Sequence, residues 1–248
     1  MDFAQCGVDT LCAALGADAW FAQCSAALQD ALLAHSRPRR LGPGESLYRQ
    51  GDAPAHALYC LLEGAVCVGG ATIDGAASLV VYLEPFHWFG DVGLIDGLPR
   101  QHDAFADGDS VVLCVALAPF LDWLARHPAH WRDVARLSAY KLRVAYEVVS
   151  DPGALSQRLA RRLWWMAHGF GSRVEQPTCQ LKVSQALLAQ MMGSSRQSIN
   201  AALRVLEGEG FVRLHYRGVE VVDLDRLLRH VQINDGGRGR RALPIPWP

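Results

Sequence analysis

The apolar residues of this chain change their period once, near Pro119, and a sheet-forming half followed by a helical half leaves few architectures open. Between Arg37 and Leu117 they come in short runs, at 57–62, 65–68, 78–83 and 111–117. The runs are separated by turn-forming groups such as Gly42-Pro43-Gly44, Gly51-Asp52, Glu63-Gly64, Gly69-Gly70, Asp74-Gly75 and Asp96-Gly97. Several short strands at this spacing predict a sandwich or barrel. Beyond Pro119 the spacing is helical. From Trp131 to Ser150 there is neither Gly nor Pro, and Leu137, Tyr140, Val144 and Val148 form one apolar stripe. Such a stripe serves either packing within one domain or a seam between two copies, and four positions do not separate the two. Asp151-Pro152-Gly153 ends the helix and predicts a hinge.

Upstream of the strands, residues 10–34 read as helical, with Leu11, Leu15, Ala19, Ala22, Ala26 and Leu28 at roughly helical spacing. With 248 residues, half of them hydrophobic and a fifth charged, the chain suits one large domain or two ordinary ones. It carries no long uncharged apolar run, so no membrane span is expected. Asp2 and Asp9 stand where a signal peptide would be basic, and the expected location is the cytoplasm. Seven cysteines at positions 6, 12, 24, 60, 67, 114 and 179 show no short repeated spacing and are expected as free thiols. Cys60, Cys67 and Cys114 lie in strand-like runs and read as small core residues. Nine scattered histidines offer no metal-binding pair, and no nucleophile–base pair or phosphate-binding loop is visible, so an enzyme is not expected.

Charge divides the chain as sharply as period does. Residues 1–128 hold 6 Lys/Arg against 15 Asp/Glu, a balance of −9, whereas residues 155–217 hold 9 against 3, a balance of +6. A polyanion is repelled by the first segment and attracted by the second. Within the basic segment, 183–192 reads as a short helix, Gly193 as a tight turn and 195–207 as a second helix. Ala189 supplies the small residue needed where two helices cross, Gly193 tolerates positive φ, and Ser194-Ser195 are good caps. Ile199, Leu203 and Leu206 share the face that would pack inward, which leaves Arg196, Gln197 and Asn200 on the other side of the first turn and a half. Those are the positions from which a recognition helix reaches base edges. Arg pairs with guanine O6 and N7, and Gln with adenine N6 and N7. Lys182, Ser184, Ser195 and Ser198 are placed for phosphate contacts, which fix register without reading sequence. Two β-like runs at 211–214 and 219–222, joined around Tyr216-Arg217-Gly218, supply a wing. Three prolines and Gly-Gly-Arg-Gly-Arg-Arg make the last residues, from Asp235, a tail expected to be disordered.

The segment 183–212 resembles the helix-turn-helix of the Crp/Fnr family of bacterial transcription regulators. Ser156-Gln157-Arg158-Leu159-Ala160 is similar to the helix that opens their DNA-binding domain. Leu47-Tyr48-Arg49-Gln50-Gly51-Asp52 and the run 58–64 resemble the early strands of their cyclic-nucleotide-binding β-roll, and Phe89-Gly90-Asp91-Val92-Gly93 through Pro99-Arg100 resembles its phosphate-binding cassette. The resemblance covers about residues 30 to 230 in the family's order. It implies a homodimer joined along the 131–150 helix, double-stranded DNA carrying imperfect palindromes as partner, and RNA polymerase as a further one. An effector would be held by Gly90, Asp91, Val92, Arg100 and Gln101.

The cassette departs from that of the cyclic-AMP-binding members. They have Gly-Glu, with the Glu on the ribose hydroxyl, and Arg-Ser or Arg-Thr on the cyclic phosphate. Here the acid is the shorter Asp91, and Arg100 is followed by Gln101-His102-Asp103. Val148 and Val149 fall where those members place hydroxyl residues against the adenine. A cyclic nucleotide stays open as a ligand class, the departures argue against cyclic AMP, and a β-roll retained without a ligand is the alternative. Fnr-type members hold an iron–sulfur cluster on closely spaced N-terminal cysteines. The looser spacing of Cys6, Cys12 and Cys24 with Cys114 argues against one here. Haem held through His87 or Cys60 is the remaining prosthetic reading, and an isolated His in an aromatic run fits a structural role as well. At the third reading position, where cyclic-AMP-sensing members commonly have Arg, this chain has Ala201.

The expected fold is α+β: an N-terminal β-roll with its leading helix over 1–130, a dimerisation helix and hinge over 131–153, a winged helix-turn-helix over 154–234, and a tail over 235–248. The alternatives are a regulator that needs no effector, one that responds to redox state, and a ligand-binding module acting on a protein partner.

Overall fold

The computed structural model describes residues 8–71, 77–149, 153–171, 177–216 and 218–233. Asp151 and Pro152 of the expected hinge, Arg217 at the wing turn, Cys6, and the tail from Asp235 lie outside these residues, as do the side chains of Val148 and Val149. The chain divides into two compact units, Met1–Lys141 and Leu142–Pro248.

The first unit opens on three short helices, α1 (Val8–Leu15), α2 (Ala19–Gln23) and α3 (Ala26–Ala34), where the sequence suggested one. The breaks are side-chain caps. Asp18 accepts from the Phe21 amide and Ser25 from the Leu28 amide, so each starts a new helix. Strands follow as β1 (Ser36–Leu41), β2 (Ser46–Tyr48), β3 (His56–Glu63), β4 (Val66–Ala71), β5 (Ala77–Leu83) and β6 (Trp88–Phe89). A one-and-a-half-turn helix α4 (Asp91–Asp96) precedes β7 (Asp103–Ala106) and β8 (Ser110–Ala116). The strands form two antiparallel four-stranded sheets, ordered β1-β8-β3-β6 and β2-β7-β4-β5. Their facing residues, including Tyr59, Leu61, Val66, Phe89, Ala104 and Val112, make one core. Strand β3 is buried along nearly its whole length because its other face is covered by α5 (Leu117–Arg126). Gly64 ends it at φ +82°, where a Cβ would lie 2.4 Å from the Asp109 carbonyl oxygen.

Helix α6 (Trp131–Val149) leads from the first unit into the second. Leu137, Tyr140 and Val144 of the expected stripe are buried within the chain. Besides Ala145, the apolar side chains left outside are Ala135, Ala139, Leu142 and Tyr146, the last two 51% and 63% exposed. Their spacing of 4, 3 and 4 is that of a coiled-coil seam.

The second unit contains α7 (Leu155–Ala167), β9 (Gln180–Leu181), α8 (Gln185–Met191), α9 (Arg196–Gly208), β10 (Val212–His215), β11 (Gly218–Val221) and α10 (Leu224–Ile233). Strand β9 completes a small sheet, β10-β11-β9. Leu159, Leu163, Leu188, Ile199, Leu203, Leu206 and Leu227 are fully buried in its core.

Asp18 also carries a pH signature. Burial pushes its carboxyl up to about 7, against the opposing pull of the Phe21 and Trp20 amides and the Lys141 charge. In the unfolded chain the group releases its proton near its ordinary value of 3.8. Between these limits the folded state binds more protons, so this group's contribution is full below 3.8 and is lost as pH rises toward 7. Asp18→Asn keeps a capping oxygen and removes the titration. Urea unfolding at pH 4 to 7 should show the variant gaining on the wild type by up to about 1.4 kcal/mol per pH unit. A constant difference across that range would show that Asp18 does not titrate there.

Candidate nucleic-acid interface and effector cassette

The reading head is built by two caps and a turn. Ser184 accepts from the Leu187 amide at 3.1 Å and starts α8. At the far end Gly193 takes φ +56°, and the Ser194 amide donates back to the Ala189 carbonyl at 3.0 Å. Ser195 then caps α9, accepting from the Ser198 amide at 3.0 Å and sharing a hydrogen bond with the Ser198 hydroxyl at 2.8 Å. With Ile199, Ala202, Leu203 and Leu206 buried, α9 turns Arg196, Gln197, Ser198, Ala201 and Arg204 outward.

The sequence-predicted residues fare differently within this frame. Arg196 and Gln197 stand exposed in the first turn, and Lys182 is exposed before α8. No ion pair to Arg196 or Lys182 is present among the described residues, so both charges are left for a polyanion. Ser184, Ser195 and Ser198 are exposed, with their hydroxyls already serving the helix starts. Asn200 is half-buried, and its Nδ2 donates to Gln185 Oε1 at 3.0 Å, tying the second helix to the first. Gln185 was not singled out from the sequence. Nor was Glu207, which accepts from the Leu214 amide at 3.0 Å and from Arg204 Nη1 at 2.8 Å and so fixes the wing to α9. The Asn200–Gln185 and Leu214–Glu207 bonds each join two different elements, which no helical or strand period announces. On the wing, Glu220 pairs with Arg213 at 3.4 Å and His215 at 3.1 Å, and Tyr216 at the turn is 96% exposed.

In the β-roll, Gly90 takes φ +91° and opens α4. The side chain of Asp91 points into the protein: its carboxylate accepts from Ser138 Oγ and Lys141 Nζ, both on α6. That ammonium and the two hydrogen bonds outweigh the cost of burial and hold the carboxyl below its usual range. Arg100 is buried as well. Its Nη1 donates to the Gly90 carbonyl at 3.0 Å and its Nη2 to the His56 carbonyl at 2.7 Å. The guanidinium lies 4.8 Å from the Tyr48 ring centroid and 5.3 Å from that of Tyr59. A Cβ on Gly93 would come within 3.1 Å of it. Val92 and Gln101 face outward. Of the prosthetic candidates, His87 is bonded to the Glu84 carbonyl at 2.9 Å, and burial raises the thiols of Cys24 to about 12 and Cys114 to about 11. No group of three or more potential metal ligands occurs among the described residues.

A winged helix-turn-helix with an outward, uncompensated Arg196, carried on one chain with a two-sheet roll and its cassette, defines a DNA-binding transcription regulator. Comparison with known proteins agrees. Residues 38–127 match the cyclic nucleotide-binding domain and residues 157–230 the Crp-like helix-turn-helix domain. The CRP-like cAMP-activated global transcriptional regulator of Mycobacterium tuberculosis is 27% identical over 212 residues, covering 82% of this chain and 91% of that protein. The transcriptional regulator LdrP of Thermus thermophilus is 31% identical over 194 residues, covering 77% and 95%. The structure of FixK2 from Bradyrhizobium japonicum shares the fold, with a TM-score of 0.67 at 18% identity over 78% of this chain and 96% of that one. The chain belongs to the Crp/Fnr family of transcription regulators.

The family's first domain implies a cyclic nucleotide, and the residues present do not fit one as they are placed. Asp91 is turned to α6 rather than outward, and both terminal nitrogens of Arg100 are held by main-chain carbonyls. Arg100 Nε is buried without a hydrogen-bond partner among the described residues, packed among the tyrosine rings.

The caps give a direct test of the hydroxyls. Ser184→Ala and Ser195→Ala should each lower stability by about 1 kcal/mol in chemical unfolding. A loss of DNA affinity with unchanged unfolding would assign those hydroxyls to phosphate contact instead.

Proposed function

We propose that the chain acts in the cytoplasm as a homodimer joined along α6, placing the two copies of α9 in successive major grooves of an imperfectly palindromic promoter site. The observation that carries the base-reading role is the outward, unpaired Arg196 beside Gln197 in the first turn of α9. Arg196 is assigned to a guanine and Gln197 to an adenine. Lys182 and the exposed serines lie where phosphate contacts would fix register. Asn200, already bonded to Gln185, is assigned to setting the α8–α9 geometry, with base contact secondary to that. Ala201 offers a methyl group where an Arg would donate, so the half-site is expected to be less discriminating at that base. RNA polymerase is the protein partner this reading requires at a promoter.

The seam is assigned to Ala135, Ala139, Leu142 and Tyr146, which are exposed on α6 at coiled-coil spacing. A two-fold dimer would set the recognition helices about 34–36 Å apart, one turn of DNA.

Two measurements check the proposal. Arg196→Ala should cut affinity for a selected duplex by about tenfold to a hundredfold while nonspecific binding changes little, read by fluorescence anisotropy. An equal loss on every sequence would remove Arg196 from base reading. Leu142→Glu with Tyr146→Glu should turn the dimer into monomer in sedimentation. An unchanged sedimentation coefficient would move the seam elsewhere.

A further inference from the structure

We propose that Asp91 is a latch rather than an effector ligand: with Ser138 and Lys141 it holds the cassette helix α4 on α6, so that DNA binding needs no nucleotide. This deepens the regulator reading above and rests on it. Helix α4 is otherwise held by its packing on β3 and by the Arg100 bond to the Gly90 carbonyl at its start. Of its six residues only Asp91, Gly93 and Leu94 are buried, while Val92 and Ile95 are 53% and 46% exposed. Leu94 is its one large buried apolar side chain, and the Asp91 carboxylate is its one side-chain tie to α6 among the described residues.

That carboxylate is 3% exposed, whereas Lys141 is 39% exposed, so the pair is a buried anion met by a cation at the protein's edge. Lys141 also acts on Asp18, but Asp18 stays pushed up to about 7, which leaves Asp91 as the ammonium's counter-charge below neutrality. Removing Lys141 would strand a buried charge, and removing the carboxylate would free both α6 donors. The second half of the cassette is also anchored to the protein. Arg100, whose guanidinium would have to meet a phosphate, has both terminal nitrogens bonded to carbonyls and its faces near two tyrosines. The Asp91 carboxylate is thus satisfied by the protein, and the Arg100 guanidinium is anchored by it through two of its five N–H donors. Asp91 acts through α4 and α6, as a positioning residue.

The full chain is tested as wild type, Asp91→Asn, Lys141→Met and the double variant. Amide hydrogen exchange across residues 91–96 reads the latch directly, without DNA. Each single variant should raise exchange there by about tenfold, and the double variant should be no worse than the more damaged single one. Wild-type protein should bind a duplex selected from random sequence without any nucleotide. Cyclic AMP and cyclic GMP should neither strengthen that binding nor shift thermal unfolding. Exchange at 91–96 that matches wild type in both single variants, or additive effects in the double, would overturn the latch. Tighter DNA binding with either nucleotide would overturn its independence of effector. Failure of the wild type to bind any duplex, with the exchange pattern as expected, would instead remove the DNA-reading assignment and leave the latch standing.

Discussion

The burial of Ile199, Leu203 and Leu206 fixes the rotation of α9 about its own axis, and the DNA-reading surface depends on that rotation. A helix turned by one residue, about 100°, would bury Arg196 or Gln197 and present apolar side chains to a polyanion. Two devices hold the setting against sliding. The Gly193 turn and the Ser195 cap fix where the helix begins, and the Asn200–Gln185 bond fixes its distance from α8. Glu207 then ties the wing to the other end of the same helix. The result is a fixed support under the exposed side chains of the first turn of α9.

The first unit solves a different problem, that of burying a carboxylate and a guanidinium. An unpaired charge in such a place is expensive, and proteins meet the cost with hydrogen bonds and a counter-ion. Asp91 has Ser138 and Lys141 on α6, and Arg100 has two carbonyls and two aromatic faces. The same two positions, in a roll that binds a charged ligand, would be balanced by the ligand. For the Asp91 carboxylate, internal balance and ligand balance are alternatives, because the oxygens that meet Ser138 and Lys141 are turned away from a ligand; Arg100 has two of its five N–H donors engaged. This is why side-chain orientation bears on function more strongly than the match of the cassette's sequence to that of its relatives.

Much of this was legible in the residues themselves. The period change near Pro119, the Ala189–Gly193–Ser195 spacing and the Ile199, Leu203, Leu206 face all act over a few positions, so local chemistry decides them. The strands at 57–62 and 111–117 were legible for the same reason. What was not legible depends on partners far apart. The α6 stripe Leu137, Tyr140 and Val144 has the period of a buried face, but period does not say what buries it, and the exposed set includes three alanines and a tyrosine of low contrast. The Asp91–Lys141 pair spans 50 positions. The helical reading of 10–34 missed two breaks because Asp18 and Ser25 act as caps only once their side chains turn back to an amide.

Helix α6 joins these separate solutions. Ser138 and Lys141, which bind the cassette carboxylate, lie within one turn of Ala139 and Leu142 on its exposed apolar edge. A helix is stiff over such a distance, because neighbouring turns share their hydrogen bonds. If α4 lost its hold, the freed Lys141 and Ser138 would be solvated beside the very residues available for a second copy, and the local rotation of α6 would no longer be pinned by a buried ion pair. Coupling between the cassette and the exposed edge therefore needs no long path through the protein. It follows from placing a buried charge pair and an exposed apolar edge on adjacent faces of one helix, where a change in the rotation of either face is a change in both.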